Sequence, residues 1–149
     1  MFAEVMRDAG YAAYRGRLQT LLGIPEDANE NQIHEYIVDG FSASRLFDLC
    51  EKGDMTPLER DQIIPLRTLK TRLNKGQPLT VSESDRLFRT AHITALAETI
   101  FGNQSKAKRW LSKPKERFNS HSPMTMLASL HGTRQVEEML IQLAEGYSF

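Results

Sequence analysis

Side chains able to do chemistry are present in this sequence, but their spacing does not bring them together. His34, His92, His121 and His131 are scattered, with no metal-ligand spacing and no H-E-x-x-H pair. They read as ordinary surface or cap residues. Cys50 is the only cysteine, which excludes an internal disulfide and suits a reducing cytosol. It falls on an apolar helix face and reads as a small buried hydrophobe. The nine glycines stand singly at helix ends, so no phosphate-cradling loop is formed, and no nucleophile elbow occurs. The expectation is a protein that is not an enzyme, with no catalytic residue, cofactor or metal.

Binding chemistry is better represented. Gln32 to Gly53 has the length and the Gly40-Phe41 turn of a helix-turn-helix, with Phe41, Leu46 and Leu49 directed inward. In that reading Ser42, Ser44 and Arg45 face a DNA groove. Arg67, Lys70, Arg72 and Lys75, with no acid among them, hold phosphates. Tyr36 stands where the motif favours a small residue, and Asp39 and Asp48 oppose phosphate. A solvated helix corner is the competing reading. Lys106, Lys108, Arg109, Lys113, Lys115 and Arg117 form the densest basic run, opposed only by Glu116 and centred on Trp110. This is either charged surface around a core anchor or a docking surface for an acidic partner.

Gly146-Tyr147-Ser148-Phe149 places two aromatics beyond a helix stop, where chain ends are usually polar. They either fold back on the last helix or plug a partner's cavity.

The elements that must position these residues are helical throughout. Tyr11, Tyr14, Leu18, Leu21 and Leu22 recur at helical spacing up to Gly23-Ile24-Pro25. Asn29 caps a short helix that Gly40 stops, and Ser42 starts another that ends at Gly53. Thr56-Pro57-Leu58-Glu59 opens a helix that Pro65 kinks or breaks and Asn74-Lys75-Gly76 closes. Gln77 to Thr80 is the most plausible internal boundary. Beyond it Ser82 is expected to cap the longest helix of the chain, Glu83 to Phe101. A Trp110 helix then breaks at Pro114, Ser122-Pro123 starts another, and Gly132 or Thr133 begins the last. The fold class is all-α.

Composition bounds what this can be. The 149 residues allow one ordinary domain or two small helical modules sharing a core. Lys+Arg and Asp+Glu each number 19, and the two sides of residue 79 carry only −2 and +2. Neither half is a strongly basic nucleic-acid binder. With no spanning stretch and with Glu4, Arg7 and Asp8 near the start, a cytoplasmic protein without a signal peptide is expected.

From about Leu79 to Phe149 the chain resembles the toxin-binding domain of the Xre/MbcA/ParS antitoxins. The resemblance is carried by Ser84-Asp85-Arg86-Leu87, Ala95-Leu96-Ala97-Glu98 with Phe101-Gly102, and Ala107 to Leu111 with Pro114. Ser122-Pro123, Leu127, Gly132-Thr133, Val136-Glu137 and Leu140 continue it. Residues 1–78, including Asp61 to Arg67, look like the Xre-type N-terminal domain that accompanies RES-domain toxins.

That resemblance implies a type II antitoxin with a 1–78 helical, Xre/Cro-like DNA-binding and dimerisation domain and a 79–149 toxin-binding bundle. Its partner would be a RES-domain toxin that consumes NAD, blocked at its active-site entrance by the antitoxin's C-terminal segment. Operator DNA, autoregulation and a homodimer within a larger complex follow from the same likeness. On this expectation Arg134, Glu138 and Gln142 form a docking rim, and Glu145, Gly146, Tyr147, Ser148 and Phe149 form a plug. The alternative is a stand-alone helix-turn-helix repressor whose C-terminal half only dimerises.

Overall fold

The computed structural model describes residues 2–146, with side chains from Ala9 onward. Within them nine α-helices and one 3-10 turn occur and no strand. Helix α1 spans Phe2–Leu22, α2 Glu30–Asp39, α3 Ala43–Glu51, α4 Pro57–Ile63 and α5 Leu66–Lys75. Then come α6 Val81–Phe101, α7 Gln104–Ser112, α8 Pro123–Met126 and α9 Leu130–Gly146.

Helix α6 is the spine. Helices α1, α2, α4, α7 and α9 all pack on it, because its Leu87, Ala91, Ile93, Ala95, Leu96 and Ala97 give buried apolar positions on several sides. Helix α1 answers with Leu18 and Leu22, and α9 with Val136 and Leu140. The core therefore runs across the boundary at Gln77 to Thr80. Leu79 is buried there, and its amide donates to the Phe41 carbonyl at 2.9 Å. Gly40 allows this approach: at φ 90° it suits glycine, and a Cβ would lie 2.3 Å from the Leu79 carbonyl oxygen.

Asn29, Thr56 and Ser122 cap as the spacing predicts, and Gly40, Gly76 and Gly102 follow their helices. Pro65 breaks its run into α4 and α5 instead of kinking it. The start of α6 differs from expectation. Thr80, not Ser82, is the cap, because only Thr80 has a Glu three residues on to complete a capping box with Glu83. At 21 residues α6 is matched in length by α1. The last helix begins at Leu130, before Gly132. Gly132 is instead a close-contact residue inside that helix, where a Cβ would meet the Met126 carbonyl oxygen at 2.0 Å.

Candidate functional site

Helix α9 presents two unlike sides. Gly132, Thr133, Val136 and Leu140 are buried, while Arg134, Glu138 and Gln142 follow one another at four-residue spacing on the exposed side. The Gln142 side-chain oxygen accepts from Arg117 Nη1 at 3.0 Å, which ties the row to the segment after α7. Glu145 and Gly146 are exposed at the helix end. Tyr147, Ser148 and Phe149, the rest of the expected plug, lie outside the described residues.

The buried side of α9 is registered by a polar chain that the spacing did not reveal. Tyr14 Oη on α1 lies 2.6 Å from His92 Nδ1 on α6, and His92 Nε2 lies 2.7 Å from Glu137 Oε2 on α9. His92 is thus buried and structural, unlike the exposed His34, His121 and His131. Phe88, one turn earlier, stacks on its ring at 5.9 Å. Burial pushes the Tyr14 phenol above its ordinary range, so it stays a neutral hydrogen-bonding group. The sequence signal was the place of His92 on the apolar face between Phe88 and Leu96.

The candidate DNA-facing residues separate into engaged and free ones. Ser42 Oγ caps α3 by accepting from the Arg45 amide at 3.2 Å, and also accepts from the exposed Ser44 hydroxyl. Arg45 is half-buried and turns toward the end of α1, where Nη1 approaches the Leu21 carbonyl at 3.4 Å. Helix α5 packs on α3 and buries Leu69, while its Arg67, Lys70 and Lys75 are exposed. Arg72 is not free for phosphate: its guanidinium is paired with Glu83 across the turn into α6. Burial works to raise the Glu83 pKa, but Arg72 and the Thr80 amide outweigh it and hold the carboxyl below the usual range.

Two concavities flank α7. One, of about 430 Å³, lies between α4, α6, α7 and α8 and contains buried Glu59, whose carboxyl burial raises above its ordinary value. Its wall carries Arg17, bound to Glu98 at 2.6 Å and to Asp54 at 3.2 Å. The other is a shallow groove of about 610 Å³ with Ile100, Phe101 and Trp110 as its apolar lining and Lys106, Arg109, Lys113 and Lys115 around them. Trp110 packs obliquely against Phe101 at 5.7 Å, and the Lys115 ammonium lies 4.9 Å from the Trp110 ring.

Among the described residues no group of three His, Cys, Asp or Glu side chains could hold a metal ion, and no helix is long and apolar enough to cross a membrane. Residues 96–146 match the family model described as the antitoxin Xre/MbcA/ParS C-terminal toxin-binding domain. A curated relative from Pseudomonas putida, "Antitoxin Xre", is 65% identical over 147 residues, covering 99% of this chain and 92% of its own length.

Proposed function

The chain belongs to the Xre antitoxin family, and from that premise we propose that it neutralises a RES-domain, NAD-consuming toxin by laying its C-terminal segment across the toxin's active-site entrance. The observation that supports this most is the exposed row on α9. Arg134, Glu138 and Gln142 stand on a helix whose other side is anchored in the core and whose exposed end carries Glu145 and Gly146, with Tyr147-Ser148-Phe149 next in the sequence. A rigid rim followed by an aromatic segment suits steric exclusion, which requires occupancy of the site and no catalysis. The RES identity of the toxin comes from the sequence resemblance.

Co-expression with the toxin tests the reading. The full chain restores growth and intracellular NAD, whereas a version truncated after Ala144 loses most of the protection. Full rescue by the truncated chain would overturn the plug.

Repression of its own operon as a homodimer belongs to the same proposal. Arg67, Lys70 and Lys75 are exposed on a helix without a single acid, while Arg45 is directed to the end of α1. These facts favour α5 over α3 as the principal DNA-facing element, with Ser42 and Ser44 beside it in a lesser role. Helices α4 and α5, joined through Ile64 and Pro65, then form the relevant corner.

A further inference from the structure

We propose that the groove lined by Ile100, Phe101 and Trp110 and rimmed by Lys106, Arg109, Lys113 and Lys115 receives an acidic segment of the toxin carrying one apolar side chain. This rests on the reading of the chain as a toxin-binding antitoxin and extends its interface from α9 to a second face.

Charge is the first argument. Elsewhere four buried or half-buried arginines have carboxylate partners: Arg17 has Glu98 and Asp54, Arg60 has Asp61, Arg72 has Glu83 and Arg89 has Asp85, while buried Arg15 is met by the Pro25 and Ala28 carbonyls. Around the groove four cations converge, and among the described residues no acid lines it. None of the four is in an ion pair among the described residues. Burial and the neighbouring Lys113 both push the Lys115 pKa down, so an incoming carboxylate relieves a repulsion already present in the free protein.

Shape separates the partners. A duplex backbone offers evenly spaced phosphates and no apolar body, and would leave the Phe101 and Trp110 surface facing empty space. An acidic peptide segment with one large apolar side chain fills the floor and meets the rim, the arrangement of an anchored protein interface. Position agrees as well. Every lining residue falls within the 96–146 match to a toxin-binding domain, and the Arg117–Gln142 hydrogen bond joins this segment to the exposed row of α9.

The experiment uses the purified complex of the full chain with the proposed RES-domain toxin. Zero-length carbodiimide cross-linking is expected to join Lys106, Lys113 or Lys115 to Asp or Glu side chains of the toxin. The Lys113→Glu/Lys115→Glu variant, checked for unchanged helicity, should bind the toxin about tenfold more weakly at low salt, with a flatter salt dependence. A wild-type complex without such cross-links, whose affinity the variant leaves unchanged, would overturn the groove while leaving the toxin-binding reading intact. Cross-links only to Glu145 of the same chain would make its own C-terminal segment the occupant and equally overturn it. Loss of DNA binding with toxin affinity unchanged would assign the patch to nucleic acid instead. If the wild-type chain forms no complex at all, the toxin-binding reading fails, and the groove proposal fails with it.

Discussion

The Tyr14 hydroxyl lies 2.6 Å from His92 Nδ1 although the two residues are 78 positions apart in the chain. Through the second ring nitrogen the contact continues to Glu137, so a single imidazole holds α1 and α9 to α6. Removing the phenol oxygen leaves one buried ring nitrogen without this partner. Tyr14→Phe should cost about 1–3 kcal/mol in urea unfolding, the range for orphaning a buried polar group. An unchanged midpoint would show that the contact contributes nothing net.

Glu83 and Glu59 should respond to neutralisation in opposite directions. Arg72 and Thr80 hold the Glu83 carboxyl below its ordinary pKa of 4.5, so its stabilisation is present above that value and is lost as pH falls through the folded pKa. Glu59 is raised above 4.5 by burial, so ionisation there opposes folding at neutral pH, and the penalty is relieved as pH falls through its folded pKa. Glu83→Gln should therefore destabilise at pH 7 by about 1–3 kcal/mol, because half-buried Arg72 loses its charged hydrogen-bond acceptor. Glu59→Gln, which keeps an acceptor for Thr56, should be neutral or stabilising at pH 7 and lose that advantage by pH 4. Denaturant midpoints of both variants at the two pH values check the signs.

Gly132 faces the Met126 carbonyl so closely that a methyl group has no room. Gly132→Ala should destabilise by about 1–3 kcal/mol through displacement of α8 from α9, the usual scale of overpacking. A helix-propensity argument gives the opposite sign, since alanine favours helices over glycine by about 1 kcal/mol. The thermal midpoint of this one variant decides between the two effects.

The exposed cations of α5 should matter to DNA and not to folding. Lys70→Glu and Arg67→Glu are expected to leave the thermal midpoint nearly unchanged and to weaken operator binding. Each should reduce the slope of log affinity against log salt by about 1. Arg45→Ala, by contrast, should affect the α1 end more than DNA. Mobility shifts across a salt series measure both; a larger DNA defect for Arg45 than for Lys70 would return the groove role to α3.

Much of the fold is legible because its punctuation is local. Asn29, Thr56, Ser122, Pro65, Gly76 and Gly102 act within one turn of themselves, through a capping oxygen, a missing amide donor or the freedom of a glycine backbone. The four-residue spacing of Arg134, Glu138 and Gln142 likewise suffices to place them on one face. His92 was not legible, because a polar residue on an apolar stripe becomes a core residue only through Tyr14 and Glu137, which are distant in sequence. The fates of Arg72 and Arg45 depend in the same way on Glu83 and on the end of α1. Choosing Thr80 over Ser82 as cap needed the position of Glu83 in the capping box. Gly132 resembles a helix boundary in sequence, and only the nearness of Met126 gives it another reason.

Helix α1 is synthesised before α6 but has its bed on it, and through His92 it is linked to Glu137 on α9. A ribosome must therefore release most of this polypeptide before the opening helix can settle. Protection should appear in a cell only once α6 and α9 have both left the ribosome, and an interrupted round of translation leaves α1 without the surface that holds it.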